Sequence, residues 1–71
     1  MGNLLLELEN HTELTAHQCA KLLGCARVTY YQWRRENKVP PTVERMIQII
    51  LKLPMRMLNQ LIAEYVYDND L

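Results

Sequence analysis

The chain contains four Tyr, one Trp and no Phe, and three of these aromatic residues lie with three arginines in one stretch, CARVTYYQWRR, at residues 25–35. An arginine can donate two hydrogen bonds to a guanine edge, and a glutamine can pair in the same way with adenine. Aromatic rings can stack on unpaired bases. The residue types therefore allow three roles: a core segment, a stacking platform for single strands, or a helix that reads base-pair edges.

Helical spacing divides this stretch into an inward and an outward set. Tyr30 and Trp33 are three residues apart and share one face of a helix. We expect these two side chains, with Cys25, to point into the core rather than to contact bases. The other faces are left to the remaining side chains, most of them polar or basic, which are Arg27, Val28, Thr29, Tyr31, Gln32, Arg34 and Arg35.

Five helices are predicted to position these side chains, and no convincing strand is predicted. Asn3 and Thr15 are suitable N-caps for the first two helices, Gly24 ends the second, and HTEL forms a connection between them. After the loop NKVPP, Thr42 is predicted to cap the fourth helix, and Pro54 opens the fifth. The predicted helices are NLLLELE, AHQCAKLL, ARVTYYQWRRE, VERMIQIILK and PMRMLNQLIAEYVY, and together they form a single domain spanning residues 1–71.

The layout of residues 16–35 is typical of a helix-turn-helix. Two short helices are joined at Gly24, which tolerates the positive φ of a tight turn. The small Ala20 lies where the two helices cross closely.

This stretch and its surroundings resemble the Cro/lambda-repressor-type helix-turn-helix regulators over residues 14–40. The shared positions are Leu14, Thr15, Ala20, Leu23, Gly24, Thr29, Trp33 and Pro40. The resemblance implies an all-α, compact five-helix fold. Three positions depart from the family: Ala26 replaces a Ser cap, Ala16 replaces a phosphate-binding Gln, and Asn37 replaces a Gly.

The resemblance also implies how double-stranded DNA is bound. In the family, the second helix of the motif lies in the major groove and contacts base edges. When the family's base contacts are carried over to this chain, they come from Arg27, Val28, Tyr31 and Gln32. For Tyr31 the alternative is packing against the fourth helix. The phosphate contacts come from His17, Gln18, Thr29, Arg34, Arg35 and Lys38, which position the protein without specifying sequence.

The net charge is zero, but it is strongly polarised along the chain. Residues 1–14 and 57–71 each carry −3, and residues 15–56 carry +6. A phosphate backbone responds to a local basic patch rather than to the total charge. The charge pattern is therefore compatible with nucleic-acid binding by the middle of the chain.

Composition disfavours several other classes of protein. No apolar run is long enough to span a membrane, and no basic region precedes LLLELE, so neither a span nor a signal peptide is predicted. We expect a cytoplasmic protein of a prokaryote or phage, with reduced cysteines and no cofactor. The spacing of His11, His17, Cys19 and Cys25 matches no familiar zinc pattern. No catalytic pair, phosphate loop or carboxylate cleft indicates an enzyme.

The last two helices, residues 42–52 and 54–67, carry more apolar residues than one core stripe needs. The predicted stripe is Val43, Met46, Ile47 and Ile50, followed by Leu58, Leu61, Ile62 and Tyr65. A helix that is apolar on more than one side either lies centrally or faces a partner. We therefore expect a homodimer interface built from Ile49, Leu53, Met55, Met57 and Val66. The alternative is a monomer with an unusually apolar surface.

Two functional hypotheses follow. The first is a homodimeric repressor that reads an inverted repeat in double-stranded DNA, similar in architecture to small phage regulators and autoregulators of anti-CRISPR operons. The second is a protein-interaction module that uses the same fold without DNA, such as an antitoxin-like or host-factor-binding phage protein. Neither hypothesis involves a membrane or a small-molecule ligand.

Overall fold

A computed structural model describes residues 3–67 of the chain, and this part is entirely helical. Five α-helices follow one another, and a π-helical turn, Ala63–Tyr67, continues the last of them. The helices are α1 (Leu4–Thr12), α2 (Ala16–Leu23), α3 (Arg27–Glu36), α4 (Pro41–Lys52) and α5 (Met55–Ile62). The predicted all-α class and the number of helices are confirmed for the described residues.

The first two helices begin at capping side chains, as predicted. Oδ1 of Asn3 accepts a hydrogen bond from the backbone N–H of Leu5 at 2.9 Å. Oγ1 of Thr15 accepts from the backbone N–H of Gln18 at 3.2 Å, and Oε1 of Gln18 accepts from the backbone N–H of Thr15 at 3.0 Å. This reciprocal capping box satisfies two backbone donors that would otherwise lack partners.

Left-handed residues end α2 and α3. Gly24 has φ 76°, and the backbone N–H groups of Gly24 and Cys25 donate to the carbonyls of Lys21 and Ala20. Asn37 has φ 55°, and its N–H and that of Lys38 donate to the last turn of α3 in the same pattern. Both ends satisfy helix carbonyls that lack intrahelical partners. Residues 24–26 thus form a tight connection between two helices that contact each other.

Two predicted boundaries are wrong by a few residues. His11 and Thr12 belong to α1 rather than to a connection, and Oγ1 of Thr12 donates to the carbonyl of Leu8 at 2.7 Å. The helix α4 begins at Pro41, so Thr42 is inside the helix and is not its cap. Proline fits the first helical position because that residue's N–H has no intrahelical partner there.

The core is built from the inner faces of all five helices. Tyr30 is the largest fully buried side chain, and Ala20 is buried where α2 meets α3. Cys25 and Trp33 are half-buried and pack against the core, in agreement with their predicted inward direction. The buried hydrophobic residues are Leu5, Leu8, Leu14, Cys19, Ala20, Tyr30, Ile47, Ile50, Leu58, Ile62 and Val66.

The π-helical turn changes which C-terminal side chain enters the core. Val66 is fully buried, whereas Tyr65 is 48% exposed. The prediction that Tyr65 belongs to the core stripe and that Val66 faces a partner is therefore wrong. A π-helical turn contains more residues than an α-helical turn. Val66 therefore continues the four-residue row of the buried Leu58 and Ile62, while the wider turn carries Tyr65 away from the core.

Candidate nucleic-acid interface

The helix α3 presents one continuous exposed face. Arg27, Tyr31 and Arg35 follow one another at four-residue spacing and form one row of this face. Val28 and Gln32 form the neighbouring row, and Val28 is 78% exposed. All four residues predicted to contact bases are therefore exposed side by side on α3. The one carboxylate on the helix is Glu36, which is its last residue.

The opposite face of α3 fixes the helix to the rest of the protein. Tyr30 is fully buried, and its ring meets that of Tyr31 edge to face, with the centroids 6.1 Å apart. Tyr31 is 44% exposed and lines a shallow pocket with Asn3, Leu6 and the two arginines in the last turn of α3. Of the two predicted places for Tyr31, the structure therefore favours the outer surface, on the side of α1.

The carboxylate of Glu9 on α1 accepts hydrogen bonds from two side chains of α3. The hydroxyl of Tyr30 donates to Oε2 of Glu9 at 2.7 Å, and Nε of Arg34 donates to the same oxygen at 3.0 Å. Asn3 adds a third link, because its Nδ2 donates to the backbone carbonyl of Arg34 at 2.9 Å. These contacts join α1 to α3 and restrict how the exposed face can move.

Burial and the hydrogen bond to Glu9 change the acidity of Tyr30. Desolvation disfavours the phenolate, and the nearby carboxylate disfavours it further, so the pKa of Tyr30 is raised well above its ordinary value of 10.0. The hydroxyl is therefore a permanent donor to Glu9 near neutral pH.

The six predicted phosphate-binding side chains differ in how freely they can reach DNA. His17, Arg35 and Lys38 are exposed, and Thr29 is half-buried. Oε1 of Gln18 is occupied by the cap of α2. Arg34 is engaged by Glu9, and its side chain is 39% exposed. Arg35 and Lys38 are consequently the clearest basic candidates, and the role of Arg34 stays a prediction that requires competition with Glu9.

Sequence reasoning did not identify Glu9 as a residue of this site. Its partners Tyr30 and Arg34 are 21 and 25 residues away along the chain. In the sequence, Glu9 is one of three acidic residues near the N-terminus and has no distinguishing neighbour. The one available signal was the helical spacing of Tyr30 and Arg34, which places both on one side of α3 and calls for a polar partner there.

The residues predicted for dimerisation fall into three groups. Ile49, Met55 and Met57 are at least half exposed, and Leu53 is half-buried. Val66 is buried within the monomer and has no surface to offer a partner.

The histidines and cysteines do not form a metal site among residues 3–67, in which no three His, Cys, Asp or Glu side chains are grouped suitably for a metal ion. Burial raises the pKa of both thiols, Cys19 and Cys25. Cys19 is also in contact with the hydroxyl of Thr12, at 3.8 Å. Both cysteines fill space in the fold.

No family model, curated protein or solved structure matches the chain. No helix among residues 3–67 has the length and apolar character required to cross a bilayer.

Proposed function

We propose that this protein is a sequence-specific double-stranded-DNA-binding transcriptional regulator, acting as a homodimeric repressor on an inverted repeat. The observation that carries this proposal is the exposed face of α3. It combines Arg27, Val28, Tyr31 and Gln32, and its one carboxylate lies in the last turn. A helix that points this many donors and apolar groups outward is chemically suited to a major groove.

The supports of α3 favour the same conclusion. The pair α2 and α3, joined by residues 24–26, has the helix lengths and tight turn of a helix-turn-helix. The buried Tyr30 and its bond to Glu9 fix the helix from behind, which leaves the outer face rigid and unobstructed. A reading helix must hold its side chains in register with the base pairs, and a fixed helix does so at low entropic cost.

Each outward side chain has a role in this proposal. Arg27, in the first turn of α3, binds the O6 and N7 atoms of a guanine, and Gln32 pairs with an adenine. Val28 contacts a thymine methyl group, and Tyr31 contacts a methyl group or donates to a phosphate. Arg35 and Lys38, with His17 and the backbone near the cap of α2, bind phosphates and set the position of the dimer.

Selection of bound sites from random duplex DNA tests the proposal directly. The expected result is an enriched inverted repeat whose half-sites are about one helical turn apart. The selection is repeated with a variant in which Arg27, Gln32 and Arg35 are all alanine. The parent protein should enrich a site and the variant should not. Failure of the parent protein to enrich any sequence contradicts the proposal.

A second candidate function is a protein-interaction module without sequence-specific DNA binding. The exposed Ile49 and Met57, which line one apolar groove, favour it, because clustered apolar side chains on a small protein mark a contact surface. In this case the affinity for DNA is weak and the same for every sequence, and the α3 variant described above binds its protein partner as well as the parent does.

A further inference from the structure

Two apolar grooves lie side by side on the face formed by α4 and α5. The larger groove, of about 610 Å³, extends from the end of α2 across α4 to Tyr65. The smaller groove, of about 430 Å³, lies between α4 and α5 and reaches Glu64. Ile49, Leu53 and Leu61 line both grooves, so these side chains form a shared ridge between them.

Exposed apolar side chains line both grooves. Within residues 3–67, three of the eight large hydrophobic side chains that are exposed line a groove, and these are Ile49, Met57 and Tyr65. Met57, which is 50% exposed, stands at the smaller groove, next to the ridge residue Ile49. A patch of this kind is typical of an interface that another molecule covers.

The charged residues that line the grooves are separated by sign on the two sides of the ridge: Lys21 and Arg45 are positive, and Glu64 is negative. Arg45 lines the larger groove and not the smaller one, and Glu64 lines the smaller groove and not the larger one. Both residues are exposed. The face therefore consists of an apolar ridge with two positive groups on one side and a negative group on the other.

We infer that the occupant of this face is a second copy of the chain, related to the first by a two-fold axis that runs along the ridge. Such an axis places the smaller groove of each copy over the larger groove of the other. Met57 of each copy then enters the larger groove of its neighbour. Arg45 of each copy faces Glu64 of the other, which makes two equivalent ion pairs.

The arrangement of charge selects a second copy over an unrelated protein. A surface with opposite charges on the two sides of an apolar ridge is complementary to itself after a two-fold rotation. An unrelated partner would need the reverse charge pattern by coincidence. The inference rests on the homodimer of the proposed function, and it adds the surface, the side chain inserted and the charge pair.

Charge reversal tests this arrangement without DNA. The variants Arg45→Glu and Glu64→Arg are each examined by sedimentation equilibrium at low ionic strength, where exposed charge pairs are least screened. Each variant alone brings like charges together twice, so its dimer dissociation constant should rise roughly tenfold or more. An equimolar mixture of the two variants restores both opposite-charge pairs in a heterodimer, and the parental dissociation constant should return.

Two further variants serve as the control and as a second probe. Arg56→Glu makes the same charge change at an exposed position of α5 outside both grooves, and it should leave dimerisation unchanged. Met57→Gln replaces the inserted apolar side chain by a polar one of similar length and should weaken the dimer. Circular dichroism establishes that each variant retains its helices, as expected for substitutions of exposed residues.

The outcomes separate this inference from the proposed function. A parent chain that stays monomeric at all concentrations overturns the inference, as does a mixture that fails to restore the dimer. A dimer that passes the mixing test but enriches no DNA site supports the inference and contradicts the proposed function. A monomer that binds a single half-site overturns the inference and the homodimer, but supports sequence-specific DNA binding by α3.

Discussion

At the scale of single residues, Arg27 is the side chain for which we most clearly predict a base-specific contact. We expect Arg27→Ala to cost about 1–3 kcal/mol of binding free energy on the selected site and to relax the preference at one base pair in each half-site. The reason is the loss of a bidentate contact with a guanine edge. Fluorescence anisotropy on the selected site and on sites substituted at each position measures the effect.

The matched control for Arg27 is Arg35→Ala, since Arg35 lies two turns further along the same row of α3. A phosphate contact is insensitive to base identity, so Arg35→Ala should weaken binding equally on all sequences. Equal losses on all sequences for Arg27→Ala would make Arg27 a phosphate contact and refute its assignment to a base.

The raised pKa of Tyr30 predicts that the free energy of unfolding falls at alkaline pH. Its pKa is raised in the folded protein, so above pH 10 the unfolded state loses the phenolic proton while the folded state retains it. The folded state then binds more protons, and its stability falls as the pH increases. The contribution is fully present below pH 10, and its loss amounts to about 1.4 kcal/mol per pH unit.

Urea unfolding at about pH 9 and about pH 11, with Tyr30→Phe as the control, isolates this effect from the other tyrosines. The variant should be less stable than the parent at neutral pH by about 1–3 kcal/mol, because Glu9 loses a donor. Its further loss between the two pH values should be smaller than that of the parent. Equal losses in the two proteins would show that Tyr30 ionises as easily in the folded state as in the unfolded state.

The sequence was sufficient to sort the side chains of α3, and insufficient to find what holds them. Tyr30 and Trp33 point inward and Arg27 and Gln32 point outward because helical periodicity is a local property. The link to Glu9 joins residues more than twenty positions apart and depends on how α1 packs, which periodicity does not encode.

At the scale of secondary-structure elements, the weak start of α3 predicts a stabilising substitution. Ala26 occupies the N-cap position in an extended conformation, with φ −67° and ψ 148°, and provides no side-chain hydrogen bond. A serine there can accept from a backbone N–H of the first turn. We expect Ala26→Ser to stabilise the protein by about 1 kcal/mol, as measured by urea unfolding.

The control for this cap is Ala63→Ser, the same substitution at an exposed position within the C-terminal helical turns. A serine inside a helix competes with the backbone for hydrogen bonds, so this variant should be neutral or slightly destabilised. If the two variants changed stability equally, the gain at position 26 would not be due to capping.

Helix caps that depend on local chemistry were predicted well, whereas the burial of the C-terminal side chains, which depends on packing, was not. Thr15 and Gly24 cap α2 as expected, because a side-chain acceptor and a left-handed glycine act within a few residues. The exposure of Tyr65 instead depends on the π-helical turn, whose wider spacing carries Tyr65 away from the core while Val66 continues the row of Ile62. That adjustment follows from the fit of α5 and this turn against the rest of the core.

At the scale of the whole molecule, the charge distribution decides how a protein of zero net charge can bind a polyanion. The acidic residues lie mainly near the two ends of the sequence, and the basic residues lie between them. Pairing of Arg34 with Glu9 neutralises part of the basic surface of α3. Arg35 and Lys38 remain exposed, so the charge available to DNA is small and local.

This distribution predicts the salt dependence of DNA binding. If Arg35 and Lys38 of both subunits neutralise phosphates, the logarithm of the association constant should fall with the logarithm of salt concentration at a slope of about −4. Lys38→Ala, which removes one contact per subunit, should make the slope shallower by about two. Arg56→Glu, at an exposed position of α5, provides the control for a general change of charge. Anisotropy titrations between about 50 and 200 mM salt give the slope, and a slope near zero would favour the protein-interaction module over the DNA-binding regulator.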